Sequence, residues 1–253
     1  MGGRKLFDVL SKFMVEHAIK MGRDAFFEVL STHNLLVKIR KKRAITTNSF
    51  HHYNRYKNLI IDFVPIRPNQ LWVSDITYWK IDTGFVYLSL ITDAFSHKVV
   101  GYNLALTLEA IESIKALKMA LNGAKLTENE YLELIHHSDR GSQYCCDAYV
   151  KLLKDKQIKI SMTESSEPTD NAIAERINGI LKNEYLECYQ VKNIEEAQKL
   201  LDSVILLYNQ ERPHMSIGNQ TPNEIHHSKQ PKAPIKLWKN YYIKKARKEV
   251  EVS

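Results

Sequence analysis

Apolar positions along the chain fall into two kinds of pattern, and the change from one to the other divides it. Within residues 4–18, Leu6, Leu10, Phe13, Met14 and His17 follow helical spacing and predict a first helix. Met21-Gly22-Arg23 reads as a turn, and Asp24 stands near the start of a second helix to about His33, with Phe26, Phe27, Val29 and Leu30 as its apolar positions. A basic run, Lys38-Ile39-Arg40-Lys41-Lys42-Arg43, and a polar linker over 44–58 follow. Beyond Pro65 and Pro68 the pattern becomes that of strands. Aromatic and β-branched residues fill 71–80, 84–92 and 97–104, separated by turns at Asp82-Thr83-Gly84 and Asp93-Ala94-Phe95-Ser96, which predicts a meander of three strands. Leu108, Ile111, Ile114, Leu117 and Leu121 then predict a helix over 108–122.

A further strand is expected over 131–138, a helix over 142–155 with Ser142 as N-cap, and a short strand over 157–161. The polar stretch 162–170 reads as a loop. Asp170 or Asn171 caps a helix to about residue 187, and a last helix spans about 194–210 before Arg212-Pro213, where proline stops it. The order βββ-α-β-α-β-α-α predicts an α/β fold with a mixed sheet flanked by helices, preceded by a small helical module. Three parts are expected: residues 1–58 as a helical DNA-binding-like module with a basic linker, 59–228 as the core with its C-terminal helices, and 229–253 as a basic tail.

Charge sharpens this division. The 253 residues carry a formal +7. Residues 1–60 hold +8, residues 61–228 hold −7 and residues 229–253 hold +6, so an acidic middle lies between basic ends. Basic ends suit a polyanion, and Arg40, Lys41, Lys42 and Arg43 are candidate nucleic-acid contacts; the other reading of that run is a solvated linker. No uncharged stretch exceeds eleven residues, too short for a membrane span. Asp8, Lys12, Glu16 and Lys20, regularly spaced, predict no secretory signal. The three cysteines, Cys145, Cys146 and Cys188, form no C-x-x-C pair and predict free thiols in a reducing cytosol.

Three carboxylates carry the candidate chemistry. Asp75 stands inside a predicted strand, where Asp is disfavoured. Asp139 lies just past another strand end, where ligands gather in α/β proteins. Glu175 lies early in a helix, nearly opposite the face formed by Ile173, Ile177, Ile180 and Leu181, and shares its side with Asn171, Asn178 and Lys182. Converging carboxylates of this kind suit Mg²⁺ and phosphate chemistry. Lys182 and Asn178 are candidate nucleic-acid contacts. Asn171, His137 (on the same strand face as Asp139 by alternation) and Arg212 are candidate supporting residues. Asp93 competes as a carboxylate ligand, but a turn aspartate is ordinary there.

The stretches LWVSDITYW (71–79), HHSDRGSQY (136–144), PTDNAIAERINGILKNEYL (168–186) and YNQERPH…TPNE (208–224) resemble the integrase-like transposases of bacterial insertion sequences, the OrfB product of insertion-sequence family three. Thirty-five residues separate Asp139 from Glu175, as in that family's DD(35)E pattern. The resemblance implies an RNase H-like core shared with retroviral integrases, with Asp75, Asp139 and Glu175 as catalytic and metal-binding residues. It implies two Mg²⁺ ions (Mn²⁺ as a substitute), hydrolysis at an element end, and attack of the freed 3′-OH on a second phosphodiester. It further implies double-stranded DNA as partner, a homo-multimer on DNA, an upstream-frame OrfA product fused or bound, and a cytoplasmic, nucleoid-associated protein. Two departures fall in the loop Ser165-Ser166-Glu167-Pro168-Thr169 and at His97, where relatives often have glycine with an aromatic residue, and arginine. A stand-alone metal-dependent nuclease and a DNA-binding regulator with an inactive core are the alternatives.

Overall fold

The structure is a computed structural model and describes residues 2–36, 52–164 and 171–228. The basic run Arg40, Lys41, Lys42, Arg43 and the tail from 229 lie outside the described residues, as does the loop 165–170. Helices α1 (Gly3–Glu16) and α2 (Arg23–Thr32) form the N-terminal pair. They close over Met14, Phe26 and Leu30, against which Leu6, Leu10 and Phe27 pack. Two expected core positions fall outside: Phe13 is exposed and stacks on His17, and Val29 is exposed.

The sheet is built from β1 (Leu71–Ile81), β2 (Gly84–Asp93), β3 (Val99–Ala105), β4 (Ile135–Ser138) and β5 (Lys159–Met162), in the order β3-β2-β1-β4-β5. β1, β2 and β3 pair antiparallel, whereas β1–β4 and β4–β5 are parallel. The β1–β2 hairpin turns at Gly84, whose φ of +137° needs a residue without a side chain. Gly101 of β3 has another reason to be glycine. A Cβ there would lie 2.3 Å from the Ala116 carbonyl oxygen of α3 (Ala110–Ala124), so the helix sits directly on the strand.

Helices α4 (Glu128–Glu133), α5 (Ser142–Cys145), α6 (Asp147–Asp155), α7 (Ala172–Glu184), α8 (Ile194–Glu211) and α9 (Pro222–His226) complete the described chain. One core, around Trp72, Leu117, Tyr149 and Leu153, lies between the sheet and α3, α5 and α6. A second, around Trp79, Leu88, Ile177, Leu201 and Tyr208, lies between the sheet and α7 and α8. Each such side chain, fully removed from water, contributes roughly 1.5–3 kcal/mol. No helix among the described residues is long and apolar enough to cross a membrane.

Three sequence expectations are corrected. The strand expected over 131–138 begins as α4, because Thr127 and Glu130 form a reciprocal capping box that starts a helix there. The helix expected over 142–155 is broken at extended Cys146, and its N-cap is Gly141, with Ser142 the first helical residue. The helix from residue 172 ends at Glu184 and gives way to a 3₁₀ turn over Leu186–Cys188. Asn171 occupies its N-cap position without a side-chain cap, and its Nδ2 donates to the Ser74 carbonyl of β1.

Candidate active site

The site forms where β4 stops. β1 continues to Ile81, but its pairing with β4 runs only from Leu71↔Ile135 to Val73↔His137. Asp75 and Asp139 each lie four residues past the first paired couple, so the parallel register carries them side by side. The Gln70 carbonyl on β1 accepts from Ile135 N, and alternate carbonyls along a strand point the same way, so the Ser74 carbonyl also looks toward β4. Its bond comes instead from Asn171 Nδ2, at 2.9 Å. A side-chain amide thus takes the place of the next strand residue.

Helix α7 packs along this part of β1. Asn178 Nδ2 donates to Asp75 Oδ2 at 2.6 Å, and Lys182 Nζ lies 3.9 Å from the centre of the Tyr78 ring and 3.9 Å from Glu187 Oε1. Asn171 and Asn178 are buried, with Glu175 exposed on the helix between them. The polar side of α7 therefore meets the central strand β1 beyond the end of its pairing with β4; it does not simply face water. Asn178, expected as a nucleic-acid contact, is held against a carboxylate. Its Oδ1 and that of Asn171 are buried without a hydrogen-bond partner among the described residues.

Asp139 is oriented by its own turn, where Gly141 N donates to its Oδ1 at 2.9 Å. A Cβ on Gly141 would stand 3.0 Å from that oxygen, so glycine permits the approach. A cleft opens between Asp75 and Asp139 and the side chains of Tyr78, Tyr87, Gln143 and Tyr144. Gln143 is fixed by donation to the Leu108 carbonyl. Burial and the neighbouring Asp139 push the Asp75 carboxyl up to about 7; Glu175 adds to this and the Asn178 bond opposes it. Among the described residues no three His, Cys, Asp or Glu side chains close on one point as a finished ion cage, and Glu175 lies outside the cleft wall.

The other expected residues act as braces. His137 Nδ1 bonds Ser161 Oγ at 2.8 Å across β4 and β5. On the adjacent strand position His136 Nε2 lies 2.8 Å from Ser74 Oγ and 2.9 Å from Tyr149 Oη, and burial lowers this imidazole to about 3, so it stays neutral. Arg212 is buried and forms a two-point pair with Glu184, at 2.9 and 2.8 Å. Asp93 closes its turn by accepting from Asn69 N, Ser96 N and Ser96 Oγ, which accounts for a buried aspartate away from the cleft. Tyr78, Tyr87, Gln143 and Tyr144 are not among the residues that the sequence singles out. Tyr78, Gln143 and Tyr144 lie within five residues of Asp75 or Asp139, and that proximity is the signal that could have found them.

A mixed sheet in this order, with one aspartate inside β1, a second just past the end of the parallel strand β4 and a glutamate on the helix packed beside them, is the core of an RNase H-like polynucleotidyl transferase. Residues 65–168 and 156–222 match two family models, each described as an integrase core domain. The chain is 36% identical over 211 residues to a 31 kDa protein of insertion element IS600 from Shigella sonnei, covering 83% of this chain and 76% of that one. It is 30% identical over 211 residues to the transposase for insertion sequence element IS629 of the same organism, covering 83% and 70%. The catalytic core domain of HTLV-2 integrase, solved in complex with magnesium in a trimeric form, superposes with a TM-score of 0.50 at 22% identity, covering 64% of this chain and 99% of that one. The chain belongs to the integrase-core transposases of bacterial insertion sequences, enzymes that cut and join DNA.

Proposed function

We propose that Asp75, Asp139 and Glu175 are the catalytic carboxylates and that they hold two divalent cations, Mg²⁺ with Mn²⁺ as a substitute. The observation that carries this reading is Asp75. The β1–β4 register sets it beside Asp139 in the wall of one cleft, and burial, Asp139 and Glu175 push its carboxyl up to about 7. The donor set is all oxygen, which fits Mg²⁺. Bound there, such ions supply Lewis acidity to the attacking and leaving oxygens of an in-line phosphoryl displacement. The chain's own residues do the positioning: Asn178 holds one oxygen of Asp75, Gly141 N holds one oxygen of Asp139, and Asn171 ties α7, which carries Glu175, to β1.

The substrate is double-stranded DNA at the ends of an insertion sequence. Water opens a phosphodiester, and the 3′-OH so freed attacks a second phosphodiester, exchanging one P–O bond for another. No covalent protein–DNA link is needed. The protein acts as a homo-multimer on DNA, in the cytoplasm at the nucleoid, with an OrfA product fused or bound. Residues 1–58 form the DNA-binding module, with Arg40, Lys41, Lys42 and Arg43 on the backbone, and 229–253 add a basic tail. Lys182 offers a cation to phosphate at the rim.

The test is strand transfer of DNA bearing the element's ends. Asp75→Asn, Asp139→Asn and Glu175→Gln should each abolish both cleavage and transfer while the circular dichroism spectrum stays that of the parent. Cleavage without any transfer by the parent protein would instead favour a nuclease.

A further inference from the structure

The cleft beside Asp75 and Asp139 has a second polar wall. Tyr144 stands five residues after Asp139, on α5, and lines that cleft. Its side chain is 3% exposed. The ring meets Tyr149 edge-on, with centroids 5.4 Å apart at 84°, so its position is fixed by packing. Its hydroxyl is buried and has no hydrogen-bond partner among the described residues. Tyr149, in the same layer, shows the ordinary solution, since its hydroxyl bonds His136. An unpaired buried hydroxyl costs about 1–3 kcal/mol, so the fold tolerates at Tyr144 what it avoids at Tyr149. Burial, Tyr149 and the two aspartates raise this phenol well above its ordinary value, which keeps it protonated and therefore a donor. Asp139 and Asp75 are close enough to act on it, so the donor and the carboxylates serve one volume.

We propose that the Tyr144 hydroxyl donates to a nonbridging oxygen of the phosphodiester seated against Asp75 and Asp139. This rests on the reading of the cleft as the place of DNA cleavage. The bond is completed only when DNA is bound, which accounts for the unpaired hydroxyl in the free protein. Held beside the carboxylates, this donor reaches the phosphate once the cleft wall yields to bound DNA, and a bond to an oxygen that gains charge during displacement stabilises the transition state more than the ground state.

The experiment is Tyr144→Phe in the full chain, with Mg²⁺ and DNA carrying the element's ends. Cleavage and transfer should slow about 10–100-fold, somewhat less than the loss of a full oxyanion-hole donor. DNA affinity should hold, and the melting temperature of the free protein should not fall, because the hydroxyl makes no bond there. The decisive arm replaces one nonbridging oxygen of the scissile phosphate by sulfur, one diastereomer at a time. For one diastereomer the slowing seen with the parent protein should largely vanish in the Tyr144→Phe variant, which has no hydroxyl to donate. Parent-like rates in the variant, or undiminished sulfur effects for both diastereomers, would overturn the proposal. If Asp75→Asn and Asp139→Asn are inactive while Tyr144→Phe is normal, only the role of Tyr144 fails. If the aspartate variants stay active, the site itself has been misread.

Discussion

Asp75 shows how far one side chain can be followed from position to behaviour. With its folded carboxyl near 7 and an ordinary value of 3.8, it is protonated in the metal-free protein over a range where the unfolded chain would be ionised. A raised carboxyl stabilises the fold fully below about pH 4, and that stability is lost as pH rises through about 7. In chelator, the unfolding free energy should therefore fall by roughly 2–4 kcal/mol over this window relative to Asp75→Asn, measured by urea titration at several pH values. A parallel pH dependence in parent and variant would place the perturbation elsewhere. Asp75 is visible in the sequence because an aspartate within a strand is uncommon, and Asp139 because ligands gather past strand ends in α/β proteins. Glu175 stands out by motif spacing alone, since a glutamate on a helix is ordinary. The partner of Asn178 is hidden, because a helical face can be computed from spacing but the strand it meets cannot. The unpaired hydroxyl of Tyr144 is equally hidden, being a property of its surroundings and not of its neighbours in sequence.

At the scale of elements, runs of aromatic and β-branched residues bounded by turns place β1, β2 and β3 to within about two residues. Short helices are harder to read. Thr127…Glu130 and Thr221-Pro222…Glu224 are capping boxes, and each starts a short helix, α4 or α9, that periodicity over a few residues cannot reveal. The C-terminal end of α7 is tied to the end of α8 by Glu184 and Arg212, a pair with 15% and 2% side-chain exposure. Removing Arg212 strips the desolvated Glu184 of its two-point partner. Arg212→Ala should cost about 3–5 kcal/mol in urea denaturation. Replacement by lysine should recover only part of this, because an ammonium cannot reproduce the two-point pairing.

Over the whole molecule, the division of charge is the part of function that composition carries. The N-terminal 60 residues and the last 25 are basic, while the middle holds a net −7, part of it the three carboxylates themselves. Divalent cations at the site would reverse the local sign where phosphate must approach. Replacing Arg40, Lys41, Lys42 and Arg43 by glutamine should weaken DNA binding and flatten the plot of log affinity against log salt, by about one for each phosphate no longer neutralised. An unchanged slope, measured by fluorescence anisotropy, would mean that this run stays in solvent. The equal count of four residues from the shared β1–β4 register to Asp75 and to Asp139 has its own consequence. Parallel strands rise alike, by about 3.3 Å per residue, and reverse face at every step. A single-codon insertion or deletion in either segment, between the paired residues and its aspartate, would offset the carboxylates by one rise and turn one of them to the far side of the sheet. Paired insertions, one in each segment, keep them level but still invert both. The two segments are thus locked in phase, and a population of such elements should tolerate length changes in the loops around the site but not within 71–75 or 135–139.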